Sequence, residues 1–132
     1  MSGARHVVVW LDHVKATIIN FTEEASQEQT VRSQLSHSRA HSDRDQSGSG
    51  HVRDDFEFFD EIALLVGNVP EVLVVGPGLA KTAFQRYAVT HHPALAAHIV
   101  GVETVDHPSS GQILKFSKQY FQGVDQLLGD ER

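Results

Sequence analysis

The chain has 132 residues, 40% of them apolar and 21% charged, with a net charge of −6, no cysteine and one methionine. That size suits one domain with a real core, and the apolar content argues against wholesale disorder or a fibrous repeat. Without cysteine there are no disulfides, thiol nucleophiles or thiolate metal sites, and the acidic balance excludes a uniformly basic nucleic-acid surface. No apolar run approaches the ~20 residues of a membrane span, and the lead into Val7 to Trp10 lacks the pattern of a signal peptide. A cytoplasmic protein with no membrane partner is the expectation.

His6 to Leu11 and Ala16 to Phe21 are β-rich runs separated by Asp12 to Lys15, which predicts a hairpin with a short loop. Glu23 to Glu28 reads as a polar connection. Gln29 to Leu35 alternates Val31, Ser33 and Leu35 with polar residues, so a third strand with one wet face is predicted there. Ser36 to Gly50 then breaks every periodicity. It is filled with serine, histidine, arginine and glycine, and loops of this length are functional or linker-like. From Val31 to Arg53 four arginines (Arg32, Arg39, Arg44, Arg53) face two aspartates, an excess of +2 that leaves −8 on the remainder. A locally basic arm of this kind can touch phosphate although the whole chain is acidic.

Asp54 to Val66 has apolar residues at helical spacing (Phe56, Phe59, Ile62, Ala63, Val66), with acids at its positive end and Gly67 as a stop. Phe58 falls off that stripe and is expected to be exposed, as a protein contact or a dimer interface. Val72 to Val75 is a continuous apolar run, the mark of a strand covered on both faces. It ends in Gly76-Pro77-Gly78 and passes into a helix marked by Leu79, Ala83, Phe84, Tyr87 and Ala88, with Lys81 one turn in. Backbone N–H groups at such a helix start can hold an anion, and Lys81 with Gly76 and Gly78 would serve it. A strand-to-helix connection with a solvated lysine fits the same residues, because the phosphate-loop spacing G-x-x-x-x-G-K-[ST] is absent. Pro93 opens a short helical turn through Ala97, Val100 to Val105 reads as a strand, and Ser109 with Gln112 forms a capping box for a last helix. Ile113, Phe116, Tyr120 and Phe121 are expected on its inner face. The predicted division is a domain over 1–122 carrying the loop at 36–50, then a tail over 123–132.

The three-strand start, the long polar loop, the strand ending in Gly76-Pro77-Gly78 with Lys81 and Phe84 beyond it, and the later run from Glu103 through Asp106 to Gly111 and Gln112 resemble a known family. They resemble the central domain of archaeal and eukaryotic peptide-chain release factors and of the ribosome-rescue factor Pelota, and small bacterial translational machinery proteins related to it. The likeness covers Val7 to Phe121. It implies a ribonuclease-H-like three-layer α/β fold with a mixed five-stranded sheet, in the order β-β-β-α-β-α-β-α. In release factors of this family the loop before the first helix presents Gly-Gly-Gln for peptidyl-tRNA hydrolysis. This chain has no such tripeptide, only Gln46 to Gly50 in the loop and Gly111-Gln112 far beyond it, so ester hydrolysis is not carried over.

The resulting expectation is a non-catalytic, translation-associated protein, without metal or cofactor, that binds a ribosome or RNA. Arg39, Arg44, Arg53 and Lys81 would meet phosphates, with Gly76 and Gly78 shaping the turn. Two alternatives stand beside it. One is a metal-dependent nuclease using Asp12, Glu103 and Asp106, since true nucleases of that fold gather carboxylates around divalent ions. The other is a homodimeric interaction module. His37 with His41, and His91 with His92, are weak metal candidates that would need a third ligand, His107 or Asp106, brought in by folding.

Overall fold

A computed structural model of the chain describes residues 6–34 and 55–129. The loop at 36–50, with Arg39, Arg44, His37 and His41, lies outside the described residues, as does Arg53. Three strands come first: β1 (His6–Leu11), β2 (Lys15–Phe21) and β3 (Ser26–Arg32). Then follow α1 (Phe56–Val66), β4 (Glu71–Gly76), α2 (Ala80–His91), α3 (Pro93–Ala96), β5 (Ile99–Thr104) and α4 (Ser110–Gly129). The sheet order is β3-β2-β1-β4-β5, antiparallel among β1, β2 and β3 and parallel from β1 through β4 to β5. This is the mixed five-stranded α/β architecture expected.

Residue alternation along the central strands builds two cores. Val7, Val9, Leu11, Val72 and Val74 face α1 and α2, whereas Val8, Trp10, Leu73 and Val75 face α4 through Ile113 and Phe121. Every residue from Val72 to Val75 is fully buried, as a strand covered on both faces requires. The sheet is therefore the middle of three layers.

Five expectations need correction. β3 begins at Ser26, inside the stretch read as a connection, because an edge strand held by backbone bonds to β2 needs little apolar content. Only Val31 of that strand is buried, while Ser33 beyond it is buried too and bonds the Asp55 carboxylate. In α1 the buried stripe is Phe58, Phe59, Ile62, Ala63 and Val66, so Phe58 is core and Phe56 is 54% exposed. Positions i, i+1, i+4, i+5 and i+8 share one face of a 3.6-residue helix, and Phe56 lies about 160° from Phe58 around it. Leu79 is also exposed, since it is the N-cap of α2 and sits off its inner stripe of Ala80, Phe84 and Ala88.

The last two corrections are in α4. Phe116 is half-turned to solvent, and its place at the sheet is taken by Ser117, wholly buried with its hydroxyl donating to the Ile113 carbonyl at 2.8 Å. A buried hydroxyl satisfied within its own helix lets that helix approach closely. The helix continues to Gly129, past the residue 123 at which a tail was expected to begin.

Local capping follows the sequence closely. Asp55 caps α1 by accepting from Phe58 N at 3.1 Å, and Gly67 ends it at φ 69° with its N–H on Ala63 O. At α4 the Ser109 hydroxyl accepts from Gln112 N at 3.2 Å, while the Gln112 side chain accepts from Ser109 N at 2.9 Å, completing the capping box. Among the described residues no helix is long and apolar enough to cross a membrane.

Candidate functional site

The parallel strands β1, β4 and β5 all end on the same side of the sheet, and their connections meet there. Ligands of open α/β sheets settle beyond the carboxyl ends of the strands, where strand connections diverge. Here a shallow cleft of about 360 Å³ is lined by Asp12, His13 and Val14 from the β1–β2 turn, Pro77, Gly78 and Ala80 after β4, and His107 after β5.

Each wall has a local cause. Asp12 builds its own turn, its Oδ1 accepting from Val14 N (2.8 Å) and Lys15 N (2.9 Å). Gly76 lies where β1 and β5 close on β4. Its carbonyl accepts from Val105 N at 3.0 Å, and a Cβ built on it would sit 2.2 Å from the Leu11 carbonyl oxygen, so only glycine fits. Gly78 faces open space. The third wall is pinned by Trp10, whose indole N–H donates to the Asp106 carbonyl at 2.8 Å while its ring meets His107 edge-on at 5.3 Å. His107 is thereby held between two carboxylates, with Nδ1 2.9 Å from Asp106 Oδ1 and Nε2 3.6 Å from Asp12 Oδ2.

Lys81 sits one turn into α2 and is only 8% exposed, with Nζ donating to the Gly78 carbonyl at 2.6 Å. The ammonium is turned back onto the Gly76-Pro77-Gly78 turn and braces it. Of the expected phosphate-contacting residues, the structure thus brings together Lys81, Gly76 and Gly78, whereas Arg39, Arg44 and Arg53 lie outside the described residues.

Of the carboxylates of the nuclease alternative, Asp12 and Asp106 flank His107, and Glu103 stands apart beside Tyr120. Asp12 also caps a turn, and Asp106 holds His107. Burial, with Glu103 beside it, pushes the Tyr120 pKa up. Tyr120 rests on Gly101, where a Cβ would fall 2.0 Å from its hydroxyl. Among the described residues no three His, Asp or Glu side chains are grouped to hold a metal ion.

A second polar cluster, not foreseen from the sequence, joins α1 to the end of α2. Asp60 Oδ1 accepts from the Tyr87 hydroxyl at 2.7 Å and lies 2.7 Å from His92 Nε2. The His92 and Tyr87 bonds hold the Asp60 carboxyl below its ordinary value, and the same bond to Asp60 raises Tyr87. His91 instead stacks on Tyr87 at 4.4 Å, so the two adjacent histidines serve different partners.

No protein-family model and no curated protein matches the sequence. Solved structures do. Pelota from Archaeoglobus fulgidus superposes with a TM-score of 0.65 at 20% identity, over 98% of this chain and 34% of that one. Pelota from Thermoplasma acidophilum gives 0.59 at 22% identity over 86% of this chain and 31% of its own. The archaeal translation termination factor aRF1 gives 0.57 at 14% identity over 96% and 41%. The fold is similar to the central domain of Pelota and aRF1. The chain spans about a third of the length of the Pelota structures it matches.

Proposed function

We propose that this protein is a translation-associated, non-catalytic domain that binds the ribosome or its RNA through the 36–50 loop and the Gly76-Pro77-Gly78 turn. The observation that carries the reading is the fold match to Pelota and aRF1 across nearly the whole chain, combined with the absence of Gly-Gly-Gln from the sequence. Arg39, Arg44 and Arg53 neutralise phosphates, because guanidinium groups make short, charge-assisted hydrogen bonds to them and this stretch carries a local positive excess on an otherwise acidic chain. Lys81 fixes the shape of the turn and adds its charge beneath the helix N-terminus, and Gly78 leaves room for a backbone phosphate to approach.

The test is cosedimentation with ribosomes at low salt, using the wild type and an Arg39→Gln/Arg44→Gln/Arg53→Gln variant matched for thermal stability. The wild type should pellet with ribosomes, and the variant should stay in the supernatant. Failure of the wild type to associate with ribosomes or RNA at any salt concentration overturns the reading.

A further inference from the structure

Helix α1 carries exposed apolar and acidic side chains together on its outer face. Phe56 and Leu64 are 54% and 78% exposed, and Glu57 and Glu61 are exposed between them. Glu57 and Glu61 are four residues apart, the spacing at which like charges on a helix repel. No lysine or arginine occurs in α1, and neither glutamate forms an ion pair among the described residues.

The Phe56 ring is also held in place. It stacks on Tyr87 at 4.8 Å and 14°, and His91 stacks on Tyr87 at 4.4 Å and 28°. Two rings cannot share one face of Tyr87 at those separations, so the three form a ladder with Phe56 at one end. The Asp60 bond to the Tyr87 hydroxyl sets the ladder's angle. A rigid, exposed aromatic ring beside unpaired carboxylates costs a partner little ordering entropy to engage.

Charge selects the partner. Phosphates would meet Glu57, Asp60 and Glu61, which disfavours nucleic acid. A second copy using the same face about a two-fold axis would set these acids against their own copies. We propose that this face docks a basic amphipathic segment of another protein, with Arg or Lys on Glu57 and Glu61 and apolar side chains on Phe56 and Leu64. It stands apart from the ribosome-binding reading, since it calls for a partner of the opposite charge.

The probe is a fluorescein-labelled 16-residue peptide with leucine and arginine at helical spacing, compared with its glutamate-for-arginine counterpart by anisotropy on the full chain. The arginine peptide should bind, and E57Q/E61Q and F56A should each weaken it about fivefold or more, a loss typical of rim charges and one aromatic contact. E23Q/E24Q removes the same charge from the β2–β3 turn and should leave binding unchanged. Thermal melts confirm that all three variants fold. Equal binding of both peptides, equal loss in E57Q/E61Q and E23Q/E24Q, binding of polyuridylate that F56A abolishes, or self-association that F56A abolishes would each overturn the proposal.

Discussion

Replacing Gly76 by alanine tests the geometry of the cleft most sharply. The added Cβ would lie 2.2 Å from the Leu11 carbonyl oxygen, against the 3.0 Å below which real Cβ contacts essentially never fall, so β1 and β4 must part by most of an ångström. Both strands are central, and their apolar residues from Val7 to Leu11 and Val72 to Val75 are at most 3% exposed, so neither can yield outward. Overpacking of such a site costs about 1–3 kcal/mol, and weakening the Val105–Gly76 bond and its neighbour adds about 1 kcal/mol. A loss of about 3 kcal/mol in a chain of this size lowers Tm by roughly 10 °C. Gly78→Ala is the control. Its Cβ meets nothing within 4 Å and its φ is not left-handed, so it should stay within about 1 kcal/mol of wild type. Urea and thermal unfolding followed by circular dichroism measure both. If Gly76→Ala unfolds like the wild type, or Gly78→Ala is equally damaging, the account of the turn is wrong.

Other outcomes follow from single contacts. Phe58→Ala should cost about 3–5 kcal/mol and Phe56→Ala less than about 1 kcal/mol, a contrast visible by urea denaturation, because only Phe58 is core. Ser109→Ala removes one half of the capping box and should cost about 1 kcal/mol, read from the same curves. Asp60 has a lowered folded-state pKa, so its contribution is present above its unfolded value of 3.8 and is lost as pH falls through the lower folded value. Because its side chain is 48% exposed, that contribution is at most about 1 kcal/mol. Melts of wild type and Asp60→Asn should differ slightly at pH 6 and converge below pH 3.8, whereas a constant difference across that range contradicts the assignment.

Element order, the two-faced strand at Val72 to Val75, the stop at Gly67 and the capping box at Ser109 could be read directly, because each depends on neighbours within a few residues. Phe56 and Phe58 were exchanged for a different reason. Both fit an apolar helix, and the phase is decided by Val7, Val9 and Ile18 across the sheet together with the stacking of Phe56 on Tyr87. The start of β3 was hidden because edge pairing leaves no apolar signature in Ser26 to Thr30. At the site, Gly76 was singled out as a turn residue, but its decisive neighbour is Leu11, 65 positions earlier. Lys81 was legible as a charge at a helix start, while its bond back to Gly78 depends on the turn's folded shape. The Asp60, Tyr87 and His92 contacts span 27 and 32 residues and leave no local pattern at all.

The central claim concerns phosphate contact through the arginines of the loop. Affinity of the labelled protein for purified ribosomes, measured from 50 to 300 mM salt, addresses it most directly. Three or four neutralised phosphates predict that log K falls against log salt with a slope of about −2 to −3, flattening by about 2 in the Arg39→Gln/Arg44→Gln/Arg53→Gln variant. No binding, or binding whose slope is the same in both proteins, would contradict it.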